Sequence, residues 1–312
     1  MWDGLHQAKQ GKIPEKAAEL WGADPASLKF VSMDHDVIFR IKTAGKTRYL
    51  RITHPLIRSQ QELTAAIHFQ RYLFATGAPI CEPIASLNGH DVEKIRQGKT
   101  VWLAYVNEEL QGEAIHFEQA DKNIYEAWGR SLAHLHRVAK SYHPDNHQFL
   151  YWHDVWEEAG RLAENEDAMI RYEYKAIDDW LSNIDKNQHE FGLIHGNHQR
   201  GRVFYDGETV RLLDMHEPVF HWFFADLTRP FLHLSPQRFA QMKEKARWFL
   251  DGYSVIQPLA EEKIAYLPWF VRMQNLEQYL WKKNLAVVSG FENVDLAAML
   301  EEIREPVRSW EL

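Results

Sequence analysis

The stretch HGNHQRGRVFYDGETVRLLDMHEP, residues 195–218, decides how the rest of the chain is read. It opens with a short polar turn, passes into an apolar strand piece at 203–205, turns at Asp206 and Gly207, and returns through a second strand ending at Asp214. An Asp-Gly pair between two apolar runs is a strong hairpin signal, because both residues tolerate the positive φ of a tight turn. Polar groups therefore crowd the mouths of a two-strand unit, as they would in a nucleotide site. Yet Asn197 and Arg202 stand where such a site would want a base and a metal ligand.

The whole chain sets bounds on that reading. Its 312 residues are enough for two subdomains sharing an interface, and 45% hydrophobic with 26% charged residues is the composition of a folded protein. A formal net charge of -8 argues against a general nucleic-acid surface, since phosphate binding needs concentrated positive charge. Cys81, the single cysteine, excludes an intrachain disulfide and reads as a buried small side chain between two prolines. The first residues lack the basic and apolar regions of a signal peptide, and no run of eighteen apolar residues could span a membrane. A soluble, cytoplasmic protein without membrane or nucleic-acid partners is expected. The twelve tryptophans, Trp2 among them, are spread along the chain and read as anchors of helices.

Patterning divides the chain unevenly. Residues 14–23 suggest a short helix with proline at its start and glycine near its end. DHDVIFRI and TRYLRIT, flanking KTAGK, predict an antiparallel hairpin, and the following segment predicts a helix closed by Gly77. A strand pair at about 82–86 and 91–95 and the strand VWLAYVNE complete a first lobe, residues 1–106. Beyond it, residues 107–312 read as mainly helical. Ile124, Trp128, Leu132, Leu135 and Val138 recur at helical spacing, with Gly129 tolerated among them, and further helices are expected at 154–164, 167–184, 236–253 and 260–283. A short ordered junction is expected near 107–112.

More than the opening stretch carries a resemblance. Together with HDVIFRI (35–41), RYLRITHP (48–55), GRSLAHLH (129–136), FFADLTRP (223–230) and LPWFVRMQNLEQYLW (267–281), in that order, it resembles the aminoglycoside phosphotransferase and choline kinase-like family. That family's pattern is His-Gly-Asp, four residues, Asn, a short hydrophobic strand, and a strand ending in Asp. The resemblance implies an α+β, two-lobed protein-kinase-like fold, with a small β-rich N-terminal lobe, a large mainly helical C-terminal lobe, ATP as cofactor and a small-molecule hydroxyl as acceptor. Its chemistry is positioning and charge neutralisation: a lysine on the phosphates, a glutamate orienting it, an aspartate taking the hydroxyl proton, and asparagine and aspartate on magnesium.

Carried over residue by residue, most of these roles are altered. Asn197 takes the catalytic aspartate's position, and a neutral amide orients a hydroxyl but does not accept its proton. Arg202 takes the metal-binding asparagine's position, where a permanent cation repels magnesium. Arg51 takes the lysine's position and can still touch phosphate. Its expected glutamate partner falls at Ala66, with Glu62 one helical turn away. Asp214, the second metal ligand, survives. Acid-base assistance alone is worth roughly 100- to 10,000-fold, so the expectation is a noncatalytic or strongly impaired family member with weak or absent ATP and magnesium binding. It would serve as a small-molecule-binding or regulatory module. Two alternatives remain: a phosphotransferase with an atypical site around Arg51, Asp214 and Glu217, and a nucleotide-independent ligand-binding protein.

The remaining marked residues carry plainer readings beside sharper ones. His195 reads as a turn-locking residue before a base, and His198 as a side chain directed away from the site. Asp226, in FFADLTRP, resembles the family's structural aspartate, which braces the catalytic loop, with substrate binding the alternative. Arg202 is an exposed loop residue, the partner of Asp214, or an anion ligand. Metal binding by Asp214, His216 and Glu217 lacks a distant ligand. Phe220–Trp222 read as core, or as the floor of an acceptor pocket.

Overall fold

The computed structural model describes residues 8–9, 12–33, 35–117, 120–187, 189–289 and 295–312; Trp2 lies outside them. The chain has the two-lobed α+β protein-kinase-like fold. One compact unit is built from residues up to 111 together with 143–149, and the other from 112–142 with 150–312.

In the first unit, alternating apolar residues place Val37, Phe39 and Ile41 on the buried face of β2 (Val37–Thr43). A two-residue turn, Ala44 and Gly45, both at positive φ, returns the chain into β3 (Lys46–Thr53) with Thr43 opposite Lys46. β1 (Lys29–Met33) joins the other edge of β2, and its mostly exposed side chains explain why no strand pattern marks it. The expected pairing of 82–86 with 91–95 is not formed. β4 (Pro83–Ile84) and β5 (Glu93–Gln97) each pair instead with β6 (Thr100–Glu108). β6 is long enough to take both, β5 through a two-residue turn at Gly98 and Lys99, β4 at its far end.

Two helices complete this unit. α1 (Ile13–Glu19) buries Ala17 and Ala18, and the Trp21 indole that follows it donates to the Ile84 carbonyl at 2.7 Å. α2 (Gln60–Ala75) begins at a capping box, with the Ser59 hydroxyl accepting from the Glu62 amide and the Glu62 carboxylate accepting from the Ser59 amide. Gly77, at φ 83, ends it as expected.

The second unit is mainly helical. Its principal helices are α3 (Lys122–Ala139), α4 (Trp152–Ala163), α5 (Ala168–Leu181), α7 (Pro236–Ser254) and α9 (Leu267–Ser289), with a short α6 (Phe223–Thr228). Two small sheets frame the functional loop: β7 (Glu113–Ala114), β10 (Val203–Tyr205) and β11 (Val210–Leu212) in one, β8 (Leu150–Tyr151), β12 (Val219–Trp222) and β9 (Phe191–Ile194) in the other. The helix expected over 260–283 is two, α8 (Glu261–Ile264) and α9, because Pro268 starts a new helix where its missing N–H costs nothing. Among the described residues, no helix is long and apolar enough to cross a membrane. Trp128 and Trp156 anchor helices as expected, whereas the equally buried Trp102 and Trp222 sit on strands.

Gly129 is not merely tolerated. A Cβ there would lie 2.0 Å from the Phe249 carbonyl oxygen, and one at Gly252 would lie 2.1 Å from that of Glu126. α3 and α7 therefore cross backbone against backbone, and each glycine is the space the other helix occupies. Gly252→Ala should destabilise the protein by about 3 kcal/mol, at the upper end of overpacking costs. An unchanged urea midpoint would show that the helices can move apart.

Candidate active site

The functional loop begins where β9 runs out at Ile194, and one buried carboxylate organises it. Asp226 accepts from the His195 amide at 2.7 Å and the Gly196 amide at 2.9 Å. The same group lies 3.0 Å from His136 Nε2, while His136 Nδ1 meets the Tyr253 hydroxyl at 2.9 Å. The consistent assignment is a neutral His136 accepting from tyrosine and donating to aspartate. Burial works against the charge of Asp226, but the hydrogen bond from His136 holds it well below the usual carboxylate range. Burial lowers His136 and raises Tyr253. Asp226 is thus the loop brace read from the sequence.

Both loop histidines are sealed in. His195 Nδ1 accepts from the Asn197 amide at 3.1 Å, and burial pushes its pKa down to about 4 against the pull of Asp226 and Asp214. His198 Nε2 donates to the Asp226 carbonyl at 2.7 Å, and burial pushes it to about 3. Each is 0% exposed, so neither can reach a substrate proton. Gly196 is required here: it sits at φ 79, and a Cβ would fall 2.2 Å from the Glu217 carbonyl oxygen. Asn197 is buried, with its Oδ1 accepting from Gln199 Nε2 at 3.1 Å.

Strand register then decides what meets at the mouth. Val203 lies opposite Leu212, so Arg202, one step back, falls beside Leu213 and Asp214; the Leu213 amide donates to the Arg202 carbonyl at 3.1 Å. The Arg202 Nη1 is 2.8 Å from Asp214 Oδ2, with Asp214 buried and Arg202 partly so. Of the three readings of Arg202, pairing with Asp214 is the one formed. Asp214 holds φ 70, in the left-handed region that aspartate enters more readily than most residues with a side chain. His216 lies 4.0 Å from Asp214 and 3.5 Å from Glu217, but no group of three or more His, Cys, Asp or Glu among the described residues is arranged to hold a metal ion.

In the first unit, Arg51 faces Tyr105 across β3 and β6, and both reach Asp36 in the turn before β2. Arg51 Nη1 is 3.2 Å from Asp36 Oδ2, and the Tyr105 hydroxyl donates to that oxygen at 2.7 Å. Arg58 Nη1 approaches Asp36 Oδ1 at 3.6 Å. All four side chains are buried. Ala66 is buried on α2, as a residue without a carboxylate, and Glu62 is held in the capping box, so neither orients Arg51. Asp36 does. Sequence reasoning missed it because it looked along α2; the signal was the aspartate next to VIFRI.

A cavity of about 590 Å³ adjoins Gln199 in the second unit, with an apolar wall of Ile115, Phe117 and Leu232. Phe220–Trp222 do not line it: Phe220 stacks on Tyr151 with centroids 4.7 Å apart, and Trp222 packs on Trp152 at 4.9 Å. No local pattern marks this cavity, because segments near 115, 199 and 230 converge only in the fold.

The model of the phosphotransferase enzyme family APH matches residues 28–259. The amicoumacin kinase of Bacillus subtilis (strain 168) is 21% identical over 281 residues, covering 86% of this chain and 83% of the relative. The homoserine kinase of Neisseria meningitidis serogroup B is 24% identical over 241 residues, covering 74% and 73%. Among solved structures, an amicoumacin kinase in complex with AMP-PNP, Ca2+ and Ami superposes with a TM-score of 0.83 at 20% identity, covering 97% of this chain and 94% of that one. The ordered motifs, the braced loop and a match over most of the length make this chain a member of the APH phosphotransferase family, with the protein-kinase-like fold of the aminoglycoside and choline kinases.

Proposed function

We propose that this APH-family chain binds a small molecule on a kinase scaffold whose phosphoryl transfer is lost or strongly impaired. One observation carries the reading: the Arg202 guanidinium sits 2.8 Å from Asp214. A divalent metal does not fit this donor set. Its carboxylate already meets a fixed cation, and the neighbouring ligand position is that cation. Asn197 supports the same conclusion, because its amide can hold a hydroxyl but not remove its proton. The pairing leaves neither charge alone at the mouth, where an unpaired buried carboxylate would be costly.

The nucleotide half has changed its partner rather than lost it. Arg51 and Arg58 around Asp36 replace the lysine-glutamate pair, and guanidinium forks suit phosphate oxygens. A nucleotide would compete with Asp36 for them, which favours weak binding. The names of the relatives, amicoumacin kinase and homoserine kinase, support a small-molecule ligand.

A second reading is favoured by the retained Asp214: slow transfer through an atypical site. A screen of amino alcohols, sugars, hydroxy acids and aminoglycosides with ATP separates the two. The expected result is turnover at background for wild type and for Asp214→Ala alike. Acceptor-dependent turnover abolished by Asp214→Ala would establish the atypical enzyme instead.

A further inference from the structure

The wall of the cavity beside Gln199 that is not apolar is basic. Arg200 and Arg229 line it, with His116 at an exposed position, and no lining residue among those described is acidic. Arg229 makes no side-chain hydrogen bond or ion pair among the described residues, and its Nε is buried without a partner. Arg200 donates a single hydrogen bond, from Nη2 to the Leu232 carbonyl at 3.0 Å, and burial lowers its pKa. The acids nearby offset these charges only in part. Glu302 meets His233 at 3.0 Å and acts on Arg200 as the smallest of its electrostatic influences. The Glu277 carboxyl is pushed up to about 7 by burial, against the pull of Arg229, so it is only partly charged at neutral pH.

A guanidinium kept partly out of water with only a partly charged acid near it is costly, and an anionic ligand would complete the arrangement. Its planar fork of donors matches a carboxylate, which it holds through two parallel hydrogen bonds. The volume of about 590 Å³ suits a small organic ligand, and the link from Gln199 to Asn197 sets the old catalytic position beside it.

We propose that this cavity is the ligand site and that it selects small hydroxyl compounds bearing a carboxylate, held by Arg229 and Arg200. The inference rests on the small-molecule-binding reading above, but its test needs neither nucleotide nor turnover. Two probes of equal chain length, 4-hydroxybutyrate and 3-aminopropan-1-ol, are titrated calorimetrically into the full-length protein. Only the hydroxy acid should bind. Arg229→Gln and Arg200→Gln should each weaken it by about ten- to a hundred-fold, the worth of a charge-assisted hydrogen bond. Arg229→Lys keeps the charge, preserves the fold and should lose less.

Equal or tighter binding of the amine would overturn the proposal. So would hydroxy-acid affinity unchanged in both glutamine variants, or no binding at roughly 50 mM, well above the millimolar limit of weak recognition. Turnover in the acceptor screen would contradict the noncatalytic reading while leaving this charge preference to stand or fall on the titration.

Discussion

Asn197→Asp combined with Arg202→Asn is expected to raise ATP hydrolysis by about 100-fold over the wild-type chain, with each single change giving less than about tenfold. The aspartate returns a carboxylate that can accept a proton from water or a hydroxyl. The asparagine removes the guanidinium that meets Asp214 at 2.8 Å and replaces it with a neutral oxygen. Either change alone leaves one block in place: a base with no metal, or an open metal position with no base. The effects should therefore be more than additive, as for residues that act as a unit. The measurement is phosphate release with magnesium, on variants shown to be folded by circular dichroism. A folded double variant as silent as wild type would place the obstruction elsewhere, with the Arg51–Asp36 pair the next candidate.

Acid should unfold this protein unusually early. His195, His198 and His221 are fully or almost fully buried, and burial holds them at about 4, 3 and 3. An unfolded histidine titrates near 6.5. Between that value and about 4 the unfolded chain binds three protons that the folded chain refuses, so stability falls as pH falls through this window. Each histidine contributes at most about 1.4 kcal/mol per pH unit, and three together remove about 4 kcal/mol between pH 7.5 and 5.5. His136 acts in the same direction. Below that window, the depressed Asp226 adds its own loss, because its stabilisation is present above the ordinary aspartate value and disappears as the folded carboxyl protonates. A domain's whole stability is about 5–15 kcal/mol, so a loss of about 4 kcal/mol by pH 5.5 is a large fraction of it. Urea midpoints at pH 7.5, 6.5 and 5.5 measure it. A flat profile would mean these rings are solvated in solution.

What was legible in the sequence is what local chemistry specifies. Gly45 and Gly207, both at positive φ, mark their hairpins, although the second loop runs over four residues, 206–209, with Asp206 outside the positive-φ region; Gly77 stops its helix, and the motif alignment puts Arg202 beside Asp214. Asp226 was readable as a brace through the resemblance of FFADLTRP to the family's motif. The rest depends on segments distant in the chain. Asp36 replaces a glutamate expected on α2, so the partner of Arg51 had to be found across β3 and β6 rather than along a helix. Gly129 looks like a mild helix defect until Gly252 is seen to need the same space. Arg200 and Arg229 are ordinary charged residues in the sequence, and only their convergence on one cavity gives them meaning.

Calorimetric titration of wild type with ATP, with and without magnesium, tests most directly whether the cation paired with Asp214 has displaced metal-nucleotide chemistry. Arg202 already occupies the charge balance that magnesium would supply, so the ion should change ATP affinity by less than about threefold, under 1 kcal/mol. Tightening by about tenfold or more on adding magnesium, to low-micromolar affinity, would contradict the account and restore a working kinase site.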